Sequence, residues 1–290
     1  MCQPGKLARG VCITLYNGSR PDQALTRRTT RLLQRAKPGI VQIHGGPRSL
    51  MGLDPAYPAN KGIKAVVAEI RAMLPGVEIW IGVGCDGWLK GLRLKQCTKA
   101  DVIHWFWLTA KYAAELGATW VIWDAEAEYK LLPKEGGKIA RAVQEKVAVD
   151  FPILQQGFTS YDHPTYHSTF PWHGWIGPGT RCRRAWAQVY AAPGGEGVQA
   201  HVGALPRREV RALSSWKAAV KAGWIAEDVT PDTDDDLDWY PYIQAHSVPA
   251  SDTIALCRKY DFVAFWAAPT RIDDAGETAI IAVCDDRVST

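Results

Sequence analysis

The stretch Asp101-Val-Ile-His-Trp-Phe-Trp-Leu-Thr-Ala-Lys-Tyr-Ala-Ala-Glu-Leu-Gly-Ala-Thr-Trp-Val-Ile-Trp-Asp-Ala-Glu126 passes from a helical pattern into a strand within one short turn. Apolar residues recur at three- and four-residue spacing from Asp101 to Leu116, as on an amphipathic helix. Leu116-Gly117 is a helix stop, and the β-branched and aromatic run Thr119 to Asp124 that follows is a strand signal. The same step recurs in both directions along the chain. Further strands are expected at Val11 to Tyr16, Ile40 to His44, Val77 to Gly84, Ile153 to Ser160, Ala185 to Tyr190, Trp239 to Gln244 and Phe262 to Trp266. Helical patterns lie between them, among them Gly62 to Met73, Lys138 to Val149, Pro206 to Ala222 and a last one at Ala275 to Val283. Eight βα units without a linker, repeat or low-complexity break predict an α/β fold of the (β/α)8 TIM-barrel type, with residues 1–290 as a single domain. Two doubly wound domains are the alternative, but an open sheet of that size would usually show a seam.

Composition narrows the function classes. Of the 290 residues 47% are hydrophobic and 22% charged, which excludes disordered, collagen-like and coiled-coil chains. The 34 Lys and Arg exceed the 30 Asp and Glu by a net charge of only +4, with no basic run longer than three, so neither nucleic acid nor a membrane is an expected partner. Seven cysteines without a C-x-x-C pair read as reduced, mostly buried thiols. The first ten residues lack the apolar stretch of a secretory signal, and no run of about 18 apolar residues occurs, so a soluble product made in the cytoplasm without a signal peptide is expected. The unusual number is 13 Trp, a surplus that suits stacking on flat or sugar-like ligands.

Barrels of this kind carry their chemistry at the C-terminal ends of the strands. Those positions read Tyr16-Asn17, His44-Gly45-Gly46, Cys85-Asp86, Asp124-Ala125-Glu126, Thr159-Ser160-Tyr161-Asp162, Gln188-Val189-Tyr190, Gln244-Ala245-His246 and Trp266. A period of two puts Asp124 and Glu126 on one face at the mouth. Two carboxylates so close resist ionising together, and a shared proton is what a general acid needs. The bland alternative is a pair of solvated loop acids. Glu128 has the same parity but sits farther into the loop. Trp186, Gln188 and Tyr190 also share a face, and an inward Gln is costly unless a carboxylate or a ligand pairs with it. Trp266 is read as the floor of a sugar subsite or, equally, as core. Tyr16, His44, Asp86, Tyr161, Trp172 and Gln244 complete the expected substrate-binding set.

Asp-x-Glu ending the fourth strand, Gln-x-Tyr ending the sixth and Trp in the eighth together resemble the family-eighteen glycoside hydrolases of the hevamine and chitinase type. Ala185-Trp-Ala-Gln-Val-Tyr-Ala-Ala-Pro193 is the closest local match. Gly157 to Trp172 is similar to a segment of uncharacterised barrel proteins of bacteria and phages, and Asp-x-Glu also resembles the family-twenty-five lysozymes. The chain departs from the family-eighteen pattern at Ile122, where that pattern carries a further acid. The resemblance implies retaining, substrate-assisted hydrolysis of a β-linked N-acetylhexosamine glycan. Glu126 would be the general acid and base, Asp124 would orient the acetamido group, and Tyr190 would hydrogen-bond it; direct use of both acids, as in lysozyme, is the close variant. Bacterial peptidoglycan or a chitin-like polymer is the expected substrate, in a phage lytic or virion-associated setting. A barrel that binds glycan without cutting it is the competing expectation, favoured by Ile122; an enzyme acting on another small carbohydrate is a third.

Other motifs are set aside. Gly82-Val-Gly-Cys-Asp-Gly87 fits the dinucleotide pattern, but Trp88-Leu-Lys-Gly-Leu-Arg93 is a poor opening for a helix that must face a pyrophosphate. Small inward-facing residues explain these glycines instead. His44-Gly45-Gly46 matches an esterase oxyanion loop without the G-x-S-x-G elbow that would supply a nucleophile. His163, His167 and His173 cluster with Asp162, yet Pro164 disfavours a helical ligand pair and a polar substrate-lining loop is expected. Asp232 to Asp238 resembles the start of a calcium loop but has Leu237 where glycine belongs and Ile243 where the closing Glu belongs. No cofactor or metal is expected.

Overall fold

The computed structural model describes residues 6–16, 25–45, 60–84, 88–190, 203–226, 239–244, 249–267 and 274–289. Within them eight parallel strands pair in sequence order and close into a barrel through the first and last. They are β1 (Ala8–Tyr16), β2 (Pro38–Gly45), β3 (Glu78–Gly84), β4 (Trp120–Asp124), β5 (Gln155–Tyr161), β6 (Arg184–Val189), β7 (Trp239–Gln244) and β8 (Val263–Ala267). Around them lie α1 (Arg27–Ala36), α2 (Asn60–Met73), α3 (Trp88–Arg93), α4 (Lys99–Glu115), α5 (Pro133–Asp150), the single turn α6 (Trp172–Trp175), α7 (Ala204–Lys221), α8 (Ala250–Cys257) and α9 (Asp274–Ser289). The (β/α)8 barrel expected from the sequence is the observed fold.

The helix–strand step from Asp101 to Asp124 has clear local causes. Thr98 and Asp101 form a reciprocal capping box at the start of α4, worth about 1 kcal/mol. Val102, Phe106, Ala110 and Ala113 form its buried stripe. The chain then leaves the helix through Gly117 at φ +66°, a left-handed conformation that glycine adopts at no steric cost. Arg71 donates to the Gly117 carbonyl at 2.8 Å, tying this turn to α2.

Alternation along each strand divides the side chains into two cores. Outward residues meet the helices: Trp123 packs edge-on against Phe106 and donates to Gln156 Oε1 at 3.1 Å, as its parity predicts. Inward residues fill the barrel, and toward its N-terminal end the filling is aromatic. Trp80 stacks on Phe262 at 5.3 Å and meets Trp186 at 5.4 Å, while Trp120 and Tyr240 close the cluster. The Arg184 guanidinium covers this end, 5.1 Å from the Trp120 ring and 5.8 Å from Tyr240. A large aromatic side chain removes about 200 Å² from water, an upper estimate of about 5 kcal/mol each.

Two sequence expectations are corrected here. Ile153 is 87% exposed and β5 begins at Gln155, because a turn in which the Leu154 N–H bonds the Phe151 carbonyl at 3.0 Å precedes the strand. Helix α5 starts at Pro133, not Lys138: Gly136 and Gly137 do not break it but allow close packing, and a Cβ on Gly174 would lie 2.4 Å from the Gly137 Cα. Trp88–Arg93 forms a short helix held by burial of Trp88 and Leu89, the Trp88 ring meeting Phe106 at 4.6 Å.

Gly157 measures how tightly the barrel interior is filled. A Cβ there would lie 2.1 Å from Trp186 Cζ3 and 2.9 Å from Ile122 Cδ1, and both neighbours are fixed in the interior cluster. Gly157→Ala is therefore expected to lower unfolding free energy by about 1–3 kcal/mol. Chemical denaturation checks this; an unchanged midpoint would show a looser interior.

Candidate active site

Above the aromatic filling the inward side chains become polar. Tyr242 donates to Thr14 Oγ1 at 2.6 Å and accepts from Gln42 Nε2 at 3.4 Å, a buried layer that joins β1, β2 and β7. Gly82 makes room for it, since a Cβ would stand 2.4 Å from Gln42 Nε2 and 2.5 Å from His44 Nδ1. That is the reason for this glycine that inward packing predicts.

The next layer is the barrel mouth. Asp124 ends β4 half-buried, and both of its carboxylate oxygens are engaged. Gln188 Nε2 donates to Oδ1 at 3.0 Å, and His44 Nε2 stands 3.5 Å from Oδ2. The carboxylate partner that an inward Gln requires is thus Asp124. Burial pushes the His44 pKa down to about 3, so the imidazole is neutral at physiological pH and presents no formal charge to Asp124. Trp266 meets the His44 ring edge-on at 4.9 Å and Tyr242 at 5.7 Å, and it remains partly exposed at the mouth.

Glu126 is carried beside Asp124 by a braced backbone. The Ala125 N–H bonds the Thr159 carbonyl at 3.1 Å, and Ser160 Oγ donates to the Ala125 carbonyl at 2.5 Å. Glu128 Oε1 accepts the Glu126 N–H at 3.1 Å, which gives this third acid a positioning role. Tyr190 lies one residue past the end of β6, where its N–H turns back to the Gln188 carbonyl at 3.0 Å. Its phenol is surrounded by protein yet open to the mouth; burial, together with Asp124 and Glu126, raises its pKa well above the usual value. Tyr161 is held protonated in the same way by burial and by Glu126, Glu128 and Asp124. Both phenols therefore stay protonated in the surroundings of these carboxylates.

One mouth residue, Lys130, carried too weak a sequence signal to be placed there, whereas its partner His167 lies in the loop expected to line the site. Lys130 Nζ meets His167 Nδ1 at 2.6 Å and lies 4.3 Å from the Tyr161 ring centroid, on which His167 stacks at 3.7 Å. Desolvation lowers the Lys130 pKa and Glu126 opposes that shift, so the ammonium belongs to the surroundings of Glu126. Lys130 sits on a 3-10 turn, Ala127–Leu131, whose irregular spacing no periodic pattern marks.

The remaining expected residues divide. Tyr16 and Gln244 stand at the mouth ends of β1 and β7, in register with His44 and Trp266 respectively. Their side chains, Asp86, the Asp232 to Asp238 run and residues 245–248 lie outside the described residues. Trp172 is a correction: it is 1% exposed, packs against Phe170 at 4.7 Å and Trp216 at 5.7 Å, and donates to the His167 carbonyl at 3.0 Å. It belongs to the helix-side core, as do Trp88 and Trp175, while Trp186 is sealed inside the barrel. Parity and a loop position do not separate a rim indole from one folded back into the core. The three histidines after β5 also diverge: His163 lies 3.9 Å from Asp162, which Arg208 holds at 2.6 Å, whereas His167 faces Lys130. Among the described residues no three His, Cys, Asp or Glu side chains gather as a metal site requires. No helix among them is long and apolar enough to cross a membrane.

No protein-family model and no curated protein matches the chain. Its fold is similar to that of the catalytic domain of a hyperthermophilic chitinase from Pyrococcus furiosus (TM-score 0.59, 12% identity, 99% of each chain covered). It is also similar to a family GH18 chitinase from Cycas revoluta crystallised with allosamidin (TM-score 0.60, 11% identity, 95% of this chain and 99% of that one). A glycoside hydrolase family 5 enzyme from Prevotella bryantii matches at TM-score 0.63 and 9% identity over 97% of this chain and 96% of that one. At such identities the likeness is one of fold, shared by two glycosidase families.

The neutral His44 makes stability depend on pH. Its folded pKa of about 3 lies below the unfolded value of about 6.5, so between them the unfolded chain binds a proton that the folded chain refuses. Stability is lost as pH falls through that window, by up to about 1.4 kcal/mol per pH unit. Urea titrations should show the wild type losing stability faster than His44→Gln on acidification below about pH 6.5; parallel curves would contradict a buried neutral imidazole.

Proposed function

We propose that this barrel is a glycoside hydrolase that cleaves β-linked N-acetylhexosamine glycans, bacterial peptidoglycan first and a chitin-like polymer second. The observation that carries the reading is the Asp124 carboxylate, held by Gln188 at 3.0 Å and faced by His44 at 3.5 Å, next to Glu126 at the barrel mouth. Fold likeness to chitinases is consistent with it, although the family 5 match leaves substrate choice to the site. The setting proposed is lysis of a bacterial wall, by a phage lytic or virion-associated enzyme.

Catalysis follows from the roles these groups can take. Glu126 gives its proton to the leaving glycosidic oxygen as the bond to the anomeric carbon breaks. The acetamido oxygen of the same sugar attacks that carbon from the opposite face, so no second carboxylate is needed as nucleophile. Asp124 accepts the acetamido N–H and stabilises the positive charge that develops on the ring so formed, and Tyr190 donates from its protonated phenol to the acetamido oxygen. Water then attacks the anomeric carbon, Glu126 takes its proton, and configuration is retained. Trp266 forms the apolar floor of this subsite.

Ile122 favours a second reading. It is 2% exposed within the aromatic filling, so Asp124 has no acid below it and takes its contacts from Gln188 and His44 instead. A barrel of this kind that binds glycan without cutting it is the alternative. Turbidity loss of purified cell walls and reducing-end release from chitin oligomers separate the two. Wild-type release that falls about 10²- to 10⁴-fold in Glu126→Gln is expected. Glycan binding without release by either protein would establish the non-catalytic barrel, and release unaffected by the substitution would remove Glu126 from its role.

A further inference from the structure

A cleft of about 440 Å³, whose described lining includes none of Asp124, Glu126 and Tyr190, opens between the start of α5, the segment Ser168–His173 and the turn after α7. Its volume falls in the range of small-molecule sites. Pro133, Phe170, Pro171 and the buried Trp172 supply apolar wall. Lys134 and Lys138, one helical turn apart on α5, bring two positive charges, and no Asp or Glu is among the described lining residues. Ser168 and Thr169 add hydroxyls, His173 an imidazole and Trp224 a half-buried indole.

The polar groups of this cleft are not used by the fold. Among the described residues, the side chains of Lys134, Lys138, Ser168, Thr169, His173 and Trp224 make no hydrogen bond or ion pair with protein. Trp172, by contrast, spends its N–H on the His167 carbonyl. Farther along α5, Lys146 bonds Asp150 at 3.0 Å. Two unpaired ammonium groups beside hydroxyl donors select an anion, and an indole with apolar surroundings selects a ring with one apolar face. A sugar residue carrying a negative group meets both demands.

We infer that the cleft is a second carbohydrate site, distinct from the barrel mouth, that binds a saccharide unit bearing a carboxylate or phosphate. Lys134 and Lys138 hold the anion, Trp224 lies against the sugar ring, and Ser168 and Thr169 bond its hydroxyls. The site requires no catalytic role of Glu126. The same two segments that place Lys130 and His167 at the mouth continue directly into the cleft, at Pro133-Lys134 and Ser168-Thr169, so the two sites are neighbours along the chain.

Titration calorimetry at low ionic strength with N-acetylmuramic acid, glucose 6-phosphate, N-acetylglucosamine and inorganic phosphate tests this, because none of these is cleaved. At least one anionic sugar should bind, and which of the two binds more tightly tells carboxylate from phosphate. The neutral sugar and bare phosphate should each bind about tenfold more weakly or not at all. Lys134→Ala/Lys138→Ala should lose about tenfold in affinity, Lys134→Arg/Lys138→Arg should retain it, and Trp224→Ala should weaken every sugar but leave bare phosphate unaffected. The loss caused by the two lysine substitutions should be the same in a Trp266→Ala background, because any binding at the mouth is separate from the cleft. Equal binding of the neutral sugar, equal binding of bare phosphate, no binding of either anionic sugar, or a loss seen in Trp266→Ala and not in the lysine variant would each overturn the inference.

Discussion

Side chains that point into a closed eight-stranded barrel can only pack against one another, and this chain fills the lower part of that space with rings. Trp80, Trp120, Trp186, Tyr240 and Phe262 close the N-terminal end, and Gly157 is small because Trp186 occupies the volume beside it. Water has no path through such a filling, so polar inward groups are stable only near the C-terminal end, where the mouth meets solvent. The gradient along the barrel axis from indoles, through the Tyr242–Thr14–Gln42 layer, to Asp124 and Glu126 follows from that constraint.

The mouth inherits its order from the layer below. His44 is neutral because it is buried on top of that layer, and its ring is set by the edge of Trp266. Gln188 reaches Asp124 because β6 pairs with β5 and β5 with β4, bringing residues far apart in sequence to one level. The backbone of Glu126 is fixed by Glu128 and by the Ala125 contacts to β5. Preorganised groups of this kind need no rearrangement when charge develops on a substrate, which is the main source of electrostatic catalysis. Lys130 and His167 place a second charged and aromatic edge beside the same acid.

Much of this was legible in the sequence because period-two alternation is a strict geometric rule. Strand parity alone put Asp124 with Glu126 and Gln188 at the mouth, turned Trp123 toward the helices, and demanded a partner for Gln188. Parity says nothing about depth, so Trp186 shares a face with Gln188 yet lies sealed two residues below it. Nor does it govern connections, where Trp172 folds back into the helix-side core and Gly136-Gly137 continue a helix through close packing. The positions of Lys130 and Glu128 depend on a turn whose geometry is set by tertiary contacts rather than by local pattern. The tryptophan surplus has changed meaning accordingly: most of the indoles described are structural, and Trp266 and Trp224 are the partly exposed ones at the two proposed sugar sites.

The central claim is that Asp124 orients an acetamido group whose oxygen is the nucleophile, with Glu126 as acid and base. The configuration of the first-formed reducing end tests it most directly, read by proton NMR during the initial turnover of a chitin oligomer before mutarotation. Retention, with the β-anomer appearing first, is the result this account predicts. The α-anomer appearing first would mean inversion by direct attack of water and would contradict it.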